Sequence, residues 1–205
     1  MIGIIDYGMG NLGSVANAFD HLGIEAEILA RPDQLLAHDR LVLPGVGSFR
    51  LAMDKLDASG WSFALREQVT AGLPLLGICL GMQLILDEGV EHGSRAGLGL
   101  ILGKVAPLIP GGTLRVPHVG WSGLSYPRRH PLFKGVKEHV DFYFVHSYQC
   151  LPADEANVLA YCDYGGKVVA AVGQNNVAGV QFHPEKSQDM GLKILENFAG
   201  WSGTL

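Results

Sequence analysis

The sequence predicts an α/β fold: a mixed, mainly parallel central sheet flanked by helices, with an antiparallel extension in the C-terminal half. Three observations carry that prediction. Short apolar runs alternate with segments of helical character through the first half of the chain, the pattern of a parallel, doubly wound sheet. Strand-like runs then follow one another with few helices between them, which suits antiparallel pairing. Between the two, Pro74-Leu75-Leu76-Gly77-Ile78-Cys79-Leu80-Gly81-Met82-Gln83 passes from an apolar strand through a tight, glycine-flanked turn into a helix. At 205 residues, 48% hydrophobic and 17% charged, the chain can bury a full core as a single domain over 1–205.

Taken in order, Ile2–Ile5 is a short buried strand and 11–22 a helix ended by Gly23. Between them Gly8-Met9-Gly10-Asn11-Leu12-Gly13 spells G-x-G-x-x-G, with Asp33 at about the spacing of a ribose-binding acid. Asp6 and Tyr7 intervene before the first glycine, and Asp33 follows Pro32 in a loop. The first reading of these glycines is therefore a shaped turn, and dinucleotide binding is the second. Strands follow at 26–30 and 40–43. The latter runs into Pro44-Gly45-Val46-Gly47-Ser48-Phe49, a loop whose bends expose backbone N–H groups. A helical region extends to about residue 71, with Leu51, Leu56, Trp61, Leu65 and Val69 as its apolar contacts.

The helix after the cysteine turn takes in Leu84-Ile85-Leu86. Beyond it, strands are predicted at 98–105, 113–116, 140–148, 158–161, 167–174 and 177–182. Asn175-Asn176 joins the last two, because asparagine tolerates the positive φ of a two-residue hairpin. A closing helix from about residue 189 sets Met190, Ile194 and Phe198 on one face.

A formal charge of −5 and a pI near 5.9 argue against nucleic acid or an anionic membrane as main partner. The first six residues are too short and unbasic for a secretion signal, and no apolar run reaches bilayer length. Three cysteines without a Cys-x-x-Cys form neither a disulfide framework nor a zinc knuckle. The expectation is a reduced, cytoplasmic protein.

Chemistry is expected at Cys79. A cysteine at the start of a helix meets free N–H groups and the positive end of the helix dipole, which favour thiolate. A buried structural cysteine is the competing reading. About a hundred residues on, the last strand ends in Phe182-His183-Pro184-Glu185. Proline biases His183 to extended backbone, so His183 and Glu185 should project to one side as base and orienting acid. A strand-end histidine beside a solvated glutamate is the plainer alternative.

Gly77-Ile78-Cys79-Leu80-Gly81 with His183-Pro184-Glu185 resembles the signature of class I, triad-type glutamine amidotransferases. Asp6-Tyr7-Gly8-Met9-Gly10-Asn11-Leu12, Pro44-Gly45-Val46-Gly47, Pro117-His118-Val119-Gly120-Trp121 and His146-Ser147-Tyr148 carry the resemblance along the whole chain. They narrow it to the glutaminase subunits of imidazole glycerol phosphate synthases. Arg115, Val119 and Ser122 depart from that family's usual form, at contacts near the partner.

The resemblance implies a flavodoxin-like sheet, no cofactor and no metal. It makes Cys79 the nucleophile on the glutamine carboxamide, His183 its acid–base partner and Glu185 the orienting carboxylate, with a thioester intermediate. Oxyanion donors would be the N–H of Leu80 and one from Val46 or Gly47; Gln83, Ser147 and Tyr148 would bind substrate, and His146 would be structural. The implied partner is a (β/α)8-barrel synthase (cyclase) subunit, in a heterodimer, that receives ammonia and makes imidazole glycerol phosphate and aminoimidazole carboxamide ribotide. Asn11, Trp121, Tyr143 and Lys186 would face it. Rival readings are an amidotransferase of another pathway, a thiol hydrolase, and a nucleotide-binding or redox-sensing module.

Overall fold

A computed structural model describes residues 1–204. Its first half alternates as predicted: β1 (Ile2–Ile5), α1 (Leu12–His21), β2 (Ala26–Leu29), β3 (Arg40–Gly45), α2 (Phe49–Ala58), α3 (Trp61–Thr70), β4 (Leu75–Cys79) and α4 (Leu80–Leu84). The helical region after β3 is two helices, because Gly60 at φ +80° turns the chain between them. Leu51 is 51% exposed, against expectation. The buried stripe of α2 is Phe49, Ala52, Met53 and Leu56, at i, i+3, i+4 and i+7, and Leu51 lies off it.

The second half contains β5 (Leu86–Gly89), β6 (Arg95–Ala96), β7 (Ile101–Pro107), β8 (His118–Ser125), β9 (Asp141–His146), β10 (Tyr148–Pro152), β11 (Val158–Asp163), β12 (Lys167–Gln174), β13 (Val177–Val180) and α5 (Gln188–Gly200). The large sheet runs β2-β1-β3-β4-β13-β12-β11-β8-β9. It is parallel from β2 to β13 and antiparallel from β13 to β9. The β12–β13 hairpin turns at Asn175, φ +51°. One core cluster packs Phe19, Phe142, Phe144, Phe182 and Phe198 together; the other packs Phe49, Trp61, Leu65 and Met82.

Several second-half expectations are corrected. Leu86 begins a strand instead of prolonging a helix, since α4 stops after five residues. A second sheet, β10-β7-β5-β6, was not foreseen. Residues 113–116 form no strand and lead to a cis Val116–Pro117 bond, and the strand begins at His118. The single strand expected over 140–148 is two: β9 pairs with β8, the chain turns at Ser147, and β10 crosses to the second sheet to pair with β7. High β-propensity on both sides of Ser147 conceals that switch. Among the described residues no helix is long and apolar enough to cross a membrane.

Candidate active site

The site sits at the C-terminal ends of β3 and β4, the end where open α/β sheets present their ligands. Cys79 closes β4 at φ +55°, ψ −107°, a backbone state that L-residues rarely hold. Two neighbours allow it. A Cβ on Gly81 would fall 1.8 Å from the Leu43 carbonyl oxygen, and one on Gly77 would fall 2.6 Å from the Gly81 backbone. Glycine at both positions lets α4 press against β3 and β4, so the sharp turn lifts Cys79 out of the strand.

His183 follows β13, with His183 and Glu185 side chains both almost wholly buried. The contact forms by another route than strand alternation: Pro184–Lys186 is a 3-10 turn, which swings Glu185 back under the ring. His183 Nδ1 and Glu185 Oε1 are 2.8 Å apart. Burial of the ring opposes its positive charge, but hydrogen bonding and charge at Cys79 and Glu185 outweigh that and bring its pKa up to about 9. His183 Nε2 is buried and has no fully formed hydrogen bond among the described residues. Cys79 and Glu185 are thus the two neighbours that favour the imidazolium, Glu185 through a formed hydrogen bond and Cys79 without one.

Cys79 and His183 line one cleft of about 450 Å³. Val46, Gly47, Leu80, Gln83, Ser147 and Tyr148 line it too, together with His146 and Glu91. Gln83 is buried, donating to the Tyr148 carbonyl at 3.4 Å and to Gln181 Oε1 at 3.1 Å. Of the residues assigned to a partner face, Trp121 is 47% exposed and stacks edge-on against its cross-strand partner Tyr143 at 5.8 Å. Lys186 is exposed beside Glu185, while Asn11 is the half-buried N-cap residue of α1, well before them in the chain.

The glycine fingerprint has a different fate. A Cβ on Gly13 would meet nothing within 4 Å, whereas the third glycine of a dinucleotide fingerprint is there for close helix–strand packing. Asp33 lies in an exposed turn paired with Arg31.

The profile described as "Glutamine amidotransferase class-I" matches residues 3–200. The imidazole glycerol phosphate synthase subunit HisH of Geobacillus kaustophilus is 50% identical over 206 residues, covering 98% of this chain and 96% of that one. This chain belongs to the class I glutamine amidotransferase family, in its HisH branch. HisH of Desulfitobacterium hafniense is 46% identical over 98% of this chain and 94% of that protein. In fold, the chain is similar to a crystal structure of a glutamine amidotransferase, with TM-score 0.76 at 24% identity over 98% of this chain and 99% of the other.

Four further residues at or near the cleft were given no role from the sequence. Gln181 is fully buried, with its Nε2 3.8 Å from the Cys79 sulfur. Glu91 accepts a 2.7 Å bond from the Phe49 N–H and lines the cleft. Ser187 donates to the His183 carbonyl at 2.6 Å and accepts from the Tyr143 N–H at 3.0 Å, tying the histidine loop to β9. His118 lies 3.0 Å from His146, ring nitrogen to ring nitrogen. Two carried a signal: Gln181 stands two residues before His183, and His118 lies in the Pro117–Trp121 motif.

Proposed function

We propose that this chain, as a single domain over 1–205, is the glutaminase subunit of an imidazole glycerol phosphate synthase. It hydrolyses L-glutamine to glutamate and ammonia and passes the ammonia to a (β/α)8-barrel synthase subunit in histidine biosynthesis. The observation that carries this reading is a thiol and a carboxylate-backed imidazole in one cleft of a HisH-family chain.

With the Cys79 proton held on His183 Nε2, the sulfur attacks the glutamine carboxamide carbon. Glu185 accepts from the Nδ1–H, which keeps Nε2 turned toward the sulfur, and the pKa raised to about 9 favours the imidazolium. His183 then gives the proton to the departing nitrogen; the C–N bond breaks, ammonia leaves and a γ-glutamyl thioester remains. Water adds to the thioester while His183 takes its proton, the C–S bond breaks, and glutamate leaves with the thiol restored. The oxyanion of each step accepts from the Leu80 N–H and from Val46 or Gly47, both on the cleft wall. Glu91 puts a carboxylate on the cleft wall that suits the substrate ammonium, and Gln83, Ser147 and Tyr148 line the same cleft to hold the rest of the glutamine.

Ammonia released into neutral water becomes ammonium and loses its lone pair, so it needs a covered route. Support for the partner comes from the outer face of the β8–β9 hairpin, where cross-strand pairs Val119–Val145 and Trp121–Tyr143 leave an exposed apolar patch. The Val145 carbonyl lies 3.9 Å from the Cys79 sulfur, so that patch backs directly onto the nucleophile. The deciding experiment reconstitutes the chain with a barrel subunit. Glutamine should support imidazole glycerol phosphate formation, and Cys79→Ala should end glutamine use while added ammonium still serves. Glutamine-dependent synthesis by Cys79→Ala would remove the thiol from the mechanism.

A further inference from the structure

His118 and His146 are buried, and no step above uses them. They face each other across β8 and β9, with His118 Nδ1 3.0 Å from His146 Nε2. Two further links extend the pair. His146 Nδ1 lies 2.8 Å from the Tyr148 carbonyl oxygen, and His118 Nε2 lies 3.0 Å from the Ser122 hydroxyl. His118 is sandwiched between the rings of Phe144 at 4.8 Å and Tyr164 at 3.9 Å, which holds its plane.

The proton order follows from valence. A carbonyl oxygen only accepts, so His146 carries a proton on Nδ1. Burial, and then the other histidine's charge, hold His118 down to about 4; burial likewise lowers His146. Each ring is thus neutral at pH 7, with one N–H. His146 Nε2 is then an acceptor, His118 Nδ1 is its donor, and His118 Nε2 is left to accept from Ser122. Every link is satisfied in one direction only; reversal would set a nitrogen lone pair of His146 against the carbonyl.

That carbonyl also accepts from Gln83 Nε2, whose second proton goes to Gln181. With both amide protons committed, the Gln83 oxygen is the atom offered to the cleft. We propose that Ser122, His118 and His146 form a one-directional hydrogen-bond chain that fixes the Tyr148 carbonyl and, through it, the Gln83 amide, which makes His118 a positioning residue for glutamine binding. The inference rests on the glutaminase reading for its consequence but not for its geometry.

Two measurements on the chain in complex with its barrel subunit test it. Long-range 1H–15N correlation spectra of the histidine rings should show the Nδ1–H tautomer at both His118 and His146; an Nε2–H tautomer at either overturns the proposal. In the glutaminase assay, His118→Phe keeps the stacked ring but removes both nitrogens. KM for glutamine should rise about tenfold, with kcat within about twofold, for the loss of a buried hydrogen bond. His118→Asn returns an amide N–H near the Nδ1 position and should recover KM to within about threefold of the parent. A merely structural role would lower kcat with the folded fraction and leave KM alone, and that outcome sinks the proposal. If the unaltered complex hydrolyses no glutamine, the glutaminase reading falls, and the tautomer spectrum still decides the chain.

Discussion

At the scale of single residues, His183 is a ring that burial should discharge and that two neighbours keep charged. Its pKa moves from 6.5 to about 9, so its contribution to stability is complete below about pH 6.5 and is lost as pH rises through 9. Glu185→Gln removes one source of that rise. The gap in unfolding free energy between the parent and Glu185→Gln should therefore be widest near pH 6 and narrow above pH 9, as read from urea midpoints; a gap that widens with pH contradicts the pairing. The same variant should lower kcat by about 10²-fold or more with little change in glutamine binding, since an amide no longer fixes the tautomer. The other two cysteines should stay silent. Burial raises the thiol pKa of Cys150 and pushes that of Cys162 up to about 12, so a glutamine-analogue alkylating reagent should label Cys79 alone in mass spectra of the native protein. Cys79, His183 and Glu185 were legible in the sequence because each lies in a short motif whose residues build one local turn. Glu91 and Ser187 were not, because their contacts arise from loops that meet only after folding; His118 stood in a motif, but its pairing with His146 arises from the register of β8 and β9.

At the scale of elements, the glycines separate into those that admit a close approach and those that do not. Gly81→Ala drives a methyl group to 1.8 Å from a β3 carbonyl, where backbone must move. It should destabilise the fold by at least about 3 kcal/mol, or prevent folding. Gly13→Ala enters open space inside α1 and should raise stability by about 0.5–1 kcal/mol through helix propensity alone. Thermal midpoints of the two variants test the contrast; a destabilised Gly13→Ala would reopen a packing role for the glycine fingerprint. The same distinction explains what the sequence disclosed of the fold. The parallel half was legible because each strand buried on both faces is one apolar run, punctuated by glycine or proline. The switch between sheets at Ser147 was hidden, since β9 and β10 are written as one strand-like run. β8 was hidden for the opposite reason: its glycines at 120 and 123 dilute a strand that pairs along its length with β9.

At the scale of the whole molecule, Cys79, the Val46–Gly47 turn and Val145 of the exposed β8–β9 pair line one cleft, and on the proposed function that arrangement joins catalysis to docking. Val46 is 44% exposed, Gly47 stands at φ +104°, and a Cβ on Gly47 would come 2.9 Å from the end of the Met9 side chain. Pro44 and Gly45, expected in the loop, close β3 in register with Ile78 and Cys79, so only Val46–Gly47 is loop; it rests on the Met9 side chain, and among the described residues no element packs over its outer side at Val46. A peptide held only from beneath can rotate at small cost, and the oxyanion donor it supplies is worth about 10²–10³ in rate. The isolated chain should accordingly turn over glutamine at least about 10²-fold more slowly than the complex with its barrel subunit and that subunit's ligand. Trp121→Ala removes the largest exposed aromatic of the hairpin face, and a centrally placed tryptophan commonly carries about 2 kcal/mol or more of an interface. It should weaken association by roughly 30-fold, measured by calorimetric titration with the barrel subunit. Because Trp121 touches no reacting atom, the rate should return to the parent's once enough partner is added to saturate the variant. A rate that stays low at saturation would mean that Trp121 acts on the cleft itself, through Tyr143 and the His183 loop that Ser187 binds to it.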